Sequence, residues 1–146
     1  MTHSPADVLA HYLIAQDLFT DPTASSIWPL FVSNLPDDKN IEADAAAVFD
    51  SPGTKDGRYM RGGKTIFHYG TMVMIRSGNH PDGYAKADAI ITALDALDSA
   101  SVTIDNTEYT IENASVVGPP IALGNEDGTR RRQLHTVNAM LTILEV

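Results

Sequence analysis

The twelve residues TIFHYGTMVMIR, Thr65 to Arg76, constrain this chain more than any other segment. β-branched and aromatic side chains alternate there with period two, the pattern of a strand with one face buried and the other less so. A chain built around such a strand needs further strands to pair with it. The closing segment QLHTVNAMLTILEV has the same character and predicts a second long strand. Gly70 interrupts the first and predicts a bulge or bend within it.

Helices are predicted at two places. Ser4, Pro5 and Asp7 combine an N-cap, a proline at the first helical position and an acid near the helix N-terminus. Val8, Leu9, Tyr12, Leu13 and Phe19 then recur at helical spacing, and Asp21-Pro22 ends the segment. A second helix is expected over YAKADAIITALDAL, where Ala87, Ile90, Ile91, Leu94 and Leu97 form an apolar stripe and SGNHPDG supplies the turn and cap before it.

Shorter strands are expected at IWPLFVS (27–33), where Pro29 confines the segment to an edge, and at AAAVF (45–49). The stretch SPGTKDGRYMRGGK reads as a turn-rich loop and GPPIALGNEDGTRRR as a second loop. SVTID and EYTIENASVV flank Asn106-Thr107 and predict a hairpin whose register could slip by one residue. The order of elements predicts an α+β fold: a mixed or antiparallel sheet of about five to six strands packed with two helices, in one domain spanning residues 1–146.

Composition excludes several classes. A chain of 146 residues with 43% hydrophobic and 20% charged residues is expected to be globular, and its apolar runs are too short to span a bilayer, so no membrane partner is expected. MTHSPADVL has neither the basic nor the apolar region of a secretory signal, so the cytoplasm is the expected place of synthesis and residence, where the Asn113-Ala114-Ser115 sequon carries no glycan. Absence of cysteine removes disulfides, thiolate nucleophiles and Cys-ligated metals.

GRYMRGGKT resembles a phosphate-binding loop but fails its spacing. Five residues separate Gly57 from Gly63, and pairing Gly57 with Gly62 puts Gly63 where the lysine belongs. A phosphate loop must also follow a strand and open a helix, whereas this one opens a strand. The five histidines have no metal-ligand spacing, although His68 and His135 both fall in strands and could be neighbours. No G-x-S-x-G elbow occurs. No catalytic, cofactor or metal site is expected.

The net charge of −9 opposes nonspecific nucleic-acid binding, yet the ten basic residues are clustered. Lys55, Arg58, Arg61 and Lys64 crowd one loop, and Arg130, Arg131 and Arg132 are contiguous in another. Arg130 to Arg132 suit either a solvated loop paired internally with Glu126 and Asp127 or contact with an acidic surface of another subunit or partner. A nucleic-acid-binding module would use the same arginines, and a small nucleotide-binding enzyme would use GRYMRGGKT.

Three segments in order, DGRYMRGGKTIFHYGTMVMIRS, YAKADAIITALDAL and YTIENASVVGPPIALGNEDGTRRRQLHTVNAMLTI, resemble the tail terminator proteins of long-tailed bacteriophages, often called minor capsid proteins. The resemblance rests on a DGR-x-M-R-x-G loop and H-x-G element (Asp56, Gly57, Arg58, Met60, Arg61, Gly63, His68, Gly70), a Tyr-Ala-Lys-Ala helix, a PP-x-x-L-G turn and an Arg-rich entry to the last strand. It runs from about Val48 to the C-terminus, with Pro29 and the GNHPDG loop as departures. The resemblance implies an α+β fold, a homohexameric ring at the head-proximal end of the tail tube, and three partners: further copies of itself, the tail tube protein and the head-tail connector or stopper protein. DNA would meet it only as cargo passing through the lumen, which an acidic chain would repel. A head-tail connector or neck protein is the neighbouring alternative. On this reading the 55–64 and 118–132 loops project, with Arg58, Met60, Arg61, Lys64, Arg130, Arg131 and Arg132 as contact residues.

Overall fold

The computed structural model of the chain describes residues 1–24, 27–36, 44–58, 65–125 and 132–145. Its elements in order are α1 (Pro5–Ala15), β1 (Leu30–Val32), β2 (Ala45–Arg58), β3 (Thr65–Ser77), α2 (His80–Asp95), β4 (Ala100–Ile104), β5 (Thr107–Val116), β6 (Ile121–Asn125) and β7 (Gln133–Glu145). The seven strands form one sheet in the order β1-β2-β3-β7-β5-β4, with β6 also paired to β7. Only β1 and β2 run parallel. The α+β expectation holds, with a mixed sheet one strand larger than anticipated.

Both long period-two segments are strands, and they pair along ten registers from His68↔Thr142 to Ser77↔Gln133. Their alternation sorts side chains by face. Val73, Ile75, Val137, Ala139, Leu141 and Ile143 are buried on one face, where they pack with Leu9 and Leu13 of α1 and Ile90 and Leu94 of α2. Both helices therefore lie on the same face. The intervening residues Met72, Met74 and Met140 point to the other face and are half-buried. Arg76 shares that second face by register and is fully buried; its Nη1 donates to the Pro36 carbonyl at 2.8 Å, tying the segment after β1 to the sheet.

The helices start where their caps dictate. Ser4 Oγ accepts from the Asp7 amide at 3.2 Å while Asp7 Oδ2 accepts from the Ser4 amide at 3.3 Å, so two otherwise orphaned donors are satisfied reciprocally. The Ala6 amide donates to Asp50 Oδ1 at 3.0 Å, which pins the same helix end to β2. Asn79 caps α2 by accepting from the Asp82 amide at 2.9 Å. This helix begins at His80, four residues before the expected YAKAD start, because Pro81 in its first turn needs no donor partner. Farther along, Lys86 lies over Phe19 and Trp28, 5.2 and 4.8 Å from their ring centroids, and donates to the Leu18 carbonyl, clasping α2 to the segment after α1.

Besides the early start of α2, α1 ends at Ala15 with Gln16 as its C-cap instead of running to about residue 19, and three features of the strands differ from expectation. β2 continues through Arg58 instead of ending at Phe49, since the ladder to β3 absorbs Pro52 and Gly53 in register shifts between Ser51 and Thr54 and again between Lys55 and Arg58. Glycine is needed at Gly53 and Gly70 because a side chain would collide with the carbonyls of His68 and Pro52 respectively. The β4–β5 turn is Asp105-Asn106, one residue earlier than predicted, and both residues have positive φ (48° and 65°) as a two-residue type I′ turn requires. Finally, IALGN, expected to be loop, is strand β6. Its single neighbour among the described residues is the first half of β7.

Gly83 sits where α2 crosses β7. A Cβ there would lie 2.5 Å from Ser77 Oγ and 2.7 Å from Nδ1 of the buried His135. Glycine to alanine in a helix interior ordinarily stabilises by about 0.5–1 kcal/mol. Gly83→Ala is expected to reverse that sign and destabilise by about 1–3 kcal/mol through overpacking, measured by urea unfolding.

Candidate functional site

The described surface carries two features suited to contact with other molecules: an apolar strip around β6 and an arm formed by the outer ends of β2 and β3. They arise from how the strands share β7. β3 takes one edge of β7, and the other edge is divided, β5 pairing with residues 139–145 and β6 with residues 133–136. Between them the chain passes through Val117-Gly118-Pro119-Pro120, where the prolines remove two amide donors and end the ladder.

All five β6 residues are exposed. Val117 (67% exposed), Ile121 (50%) and Leu123 (51%) thus place three large aliphatic side chains in water within one short stretch. Gly124, with φ of 83°, supports the register shift that lets Leu123 fall between ladder positions. An edge strand that is both unpaired outward and apolar is a contact surface or a liability, because it offers backbone donors, acceptors and hydrophobic area together.

The arm begins where β3 parts from β7 at His68↔Thr142; β2 and β3 continue as a two-stranded ribbon through Lys55↔Phe67 to Arg58↔Thr65. Phe67 is 43% exposed, stacks on Tyr69 at 5.8 Å and has Lys55 Nζ 5.7 Å above its ring. On the ribbon's other side His68 is held between Thr142 Oγ1 (2.9 Å) and Asp56 Oδ2 (3.0 Å).

Of the residues expected to make contacts, Arg58 is in β2, close to the end of this ribbon. Met60, Arg61, Lys64, Arg130 and Arg131 lie outside the described residues. Arg132, expected among the contact residues, is 4% exposed and lies immediately before β7. The proposed neighbourhood of His68 and His135 is also corrected. His68 pairs with Thr142 while His135 pairs with Ile75, and the two imidazoles point to opposite faces.

His135 instead meets α2. It is fully buried, its ring lies 4.9 Å from that of His80 and 6.3 Å from that of Tyr84, and neither ring nitrogen has a hydrogen-bond partner among the described residues. Burial, and secondarily the nearby His80, hold its pKa below the ordinary histidine value. The unfolded chain therefore takes up a proton near pH 6.5 that the folded chain refuses. Stability is expected to be unaffected by this group above that pH and to fall below it by up to about 1.4 kcal/mol per pH unit, until the folded-state value is reached. Unfolding titrations from pH 7.5 to 5 check this, and His135→Leu should flatten that limb.

Sequence reasoning found the basic cluster of the arm but missed the apolar strip. The available signal was PPIAL, an apolar run inside an otherwise polar connection.

Compared with protein families, residues 12–135 match the family described as bacteriophage tail terminator protein, from the middle of α1 to the start of β7. Comparison with curated proteins gives no match.

Proposed function

Because the chain belongs to the bacteriophage tail terminator family, a structural rather than enzymatic family of the phage virion, we propose that it forms a ring that caps the head-proximal end of the tail tube. There it stops tube polymerisation and presents a docking face to the head connector. Membership in the family over residues 12–135 carries this reading.

The surface supports it. A subunit that buries area only on assembly should expose apolar side chains and open strand edges as a monomer, which Val117, Ile121, Leu123 and the outer edge of β6 do. Half-buried Met72, Met74 and Met140 give the helix-free face adaptable, unbranched side chains suited to a partner surface. The charged residues Arg58, Arg61, Lys64, Arg130, Arg131 and Arg132, with the apolar Met60, are the residues assigned to contacts with neighbouring copies, the tube protein or the connector.

The net charge of −9 fits a lumen through which DNA passes without being held. Tail tube protein polymerising in vitro provides the test. Added chain should arrest elongation at substoichiometric amounts, because only tube ends are consumed; elongation that continues unchanged contradicts capping.

A further inference from the structure

We propose that the β2–β3 arm of one copy seats in the acidic groove between α2 and the β5–β6 joint of the next copy. This contact rests on the ring reading above and specifies which surfaces close the ring. The groove, about 340 Å³, is walled by Tyr84, Asp88, Ile91 and Asp95 along α2 and by Pro119 and Pro120 opposite. The α2 residues are spaced i, i+4, i+7, i+11 and form one stripe in which apolar and acidic side chains alternate. Tyr84 is 44% exposed and both aspartates are exposed, so the stripe is not filled by the described residues. Lys86, the one basic residue of α2, is turned away over Phe19 and Trp28 and neutralises neither.

The arm has the complementary character. Its described β2 residues include Lys55 and Arg58 against one acid, Asp56. The described part presents Phe67 with Lys55 above it, an aromatic surface beside a cation that matches a tyrosine beside a carboxylate.

Among the described residues the arm does not reach the groove of its own chain. The arm leaves the sheet from the β3 side of β7 at Thr142, while the groove adjoins the opposite edge near Val116↔Ala139 and Ile121↔Thr136. Arm and groove are thus different surfaces at different places on the subunit. Such a contact is head-to-tail, and a head-to-tail contact with the right rotation closes into a ring.

Charge reversal in two separate proteins tests the contact. In K55E/R58E the arm is repelled by its own kind of groove, and in D88K/D95K the groove repels the arm. Each alone should assemble at least tenfold more weakly than the unaltered chain by sedimentation velocity, with thermal unfolding of the monomer unchanged because the substituted aspartates and Lys55 are exposed. An equimolar mixture should recover assembly, since every arm then meets a groove of opposite sign in an alternating ring. Rings that form undiminished in either variant, or variants whose mixture does not recover, overturn the arm–groove contact and leave the ring itself standing. An unaltered chain that stays monomeric both alone and with tail tubes overturns the contact and the ring together.

Discussion

Leu141→Ala is expected to destabilise the chain by about 2–5 kcal/mol, a large share of the stability of a domain this size. Leu141 lies in β7, the strand on which the sheet converges, with Tyr69 of β3 on one side and Ala114 of β5 on the other. It is fully buried in the cluster that also holds both helices. Shortening it removes apolar contacts and leaves a cavity that strands paired on both sides cannot close. Urea denaturation of the monomer measures the change. A loss below about 1 kcal/mol would mean that β7 is not the centre of the core.

Ile121→Asp with Leu123→Asp is expected to act the opposite way, sparing the fold and weakening binding to tube ends. Both side chains are about half exposed on an edge strand, so monomer stability should stay within about 0.5 kcal/mol. In an assembled ring or at a tube end the same positions would be desolvated, and a carboxylate placed there has no partner to offset its burial. Apolar anchors at the centre of an interface commonly contribute 2 kcal/mol or more, so binding to tube ends should weaken by about thirtyfold or more. Unaltered binding in a pull-down on tail tubes would remove β6 from the contact surface.

What could be read from the sequence was local chemistry. Ser4, Pro5 and Asp7 announce α1 because capping involves neighbours three residues apart, and Asn79 does the same for α2. β3 and β7 are legible because each buries one face against the helices and leaves the other less covered, which writes a period of two into the residues. The extension of β2 past Asp50 was hidden, since Pro52, Gly53 and Gly57 have turn propensities that only the neighbouring β3 ladder overrides. β6 was hidden for a different reason: all its side chains are exposed, so no alternation marks it. For the site, charge clustering was visible and depth was not. Arg132 looked like its two basic neighbours in the sequence and lies buried at the start of β7, a placement set by tertiary packing.

The acid sensitivity expected from His135 and the sign reversal expected at Gly83 concern one junction, where α2 crosses β7. That junction also sets the position of α2 beside the β5–β6 joint, and therefore the width of the acidic groove. On the proposed arm–groove contact, a shift of α2 at this junction would be felt at Asp88 and Asp95.

The most direct test of the central claim is electron microscopy of purified tail tubes incubated with the purified chain. The account predicts a ring of density at one end of each tube, absent from tubes alone and from tubes mixed with the β6 double variant. Tubes with bare ends, or the chain distributed along their sides, would contradict it.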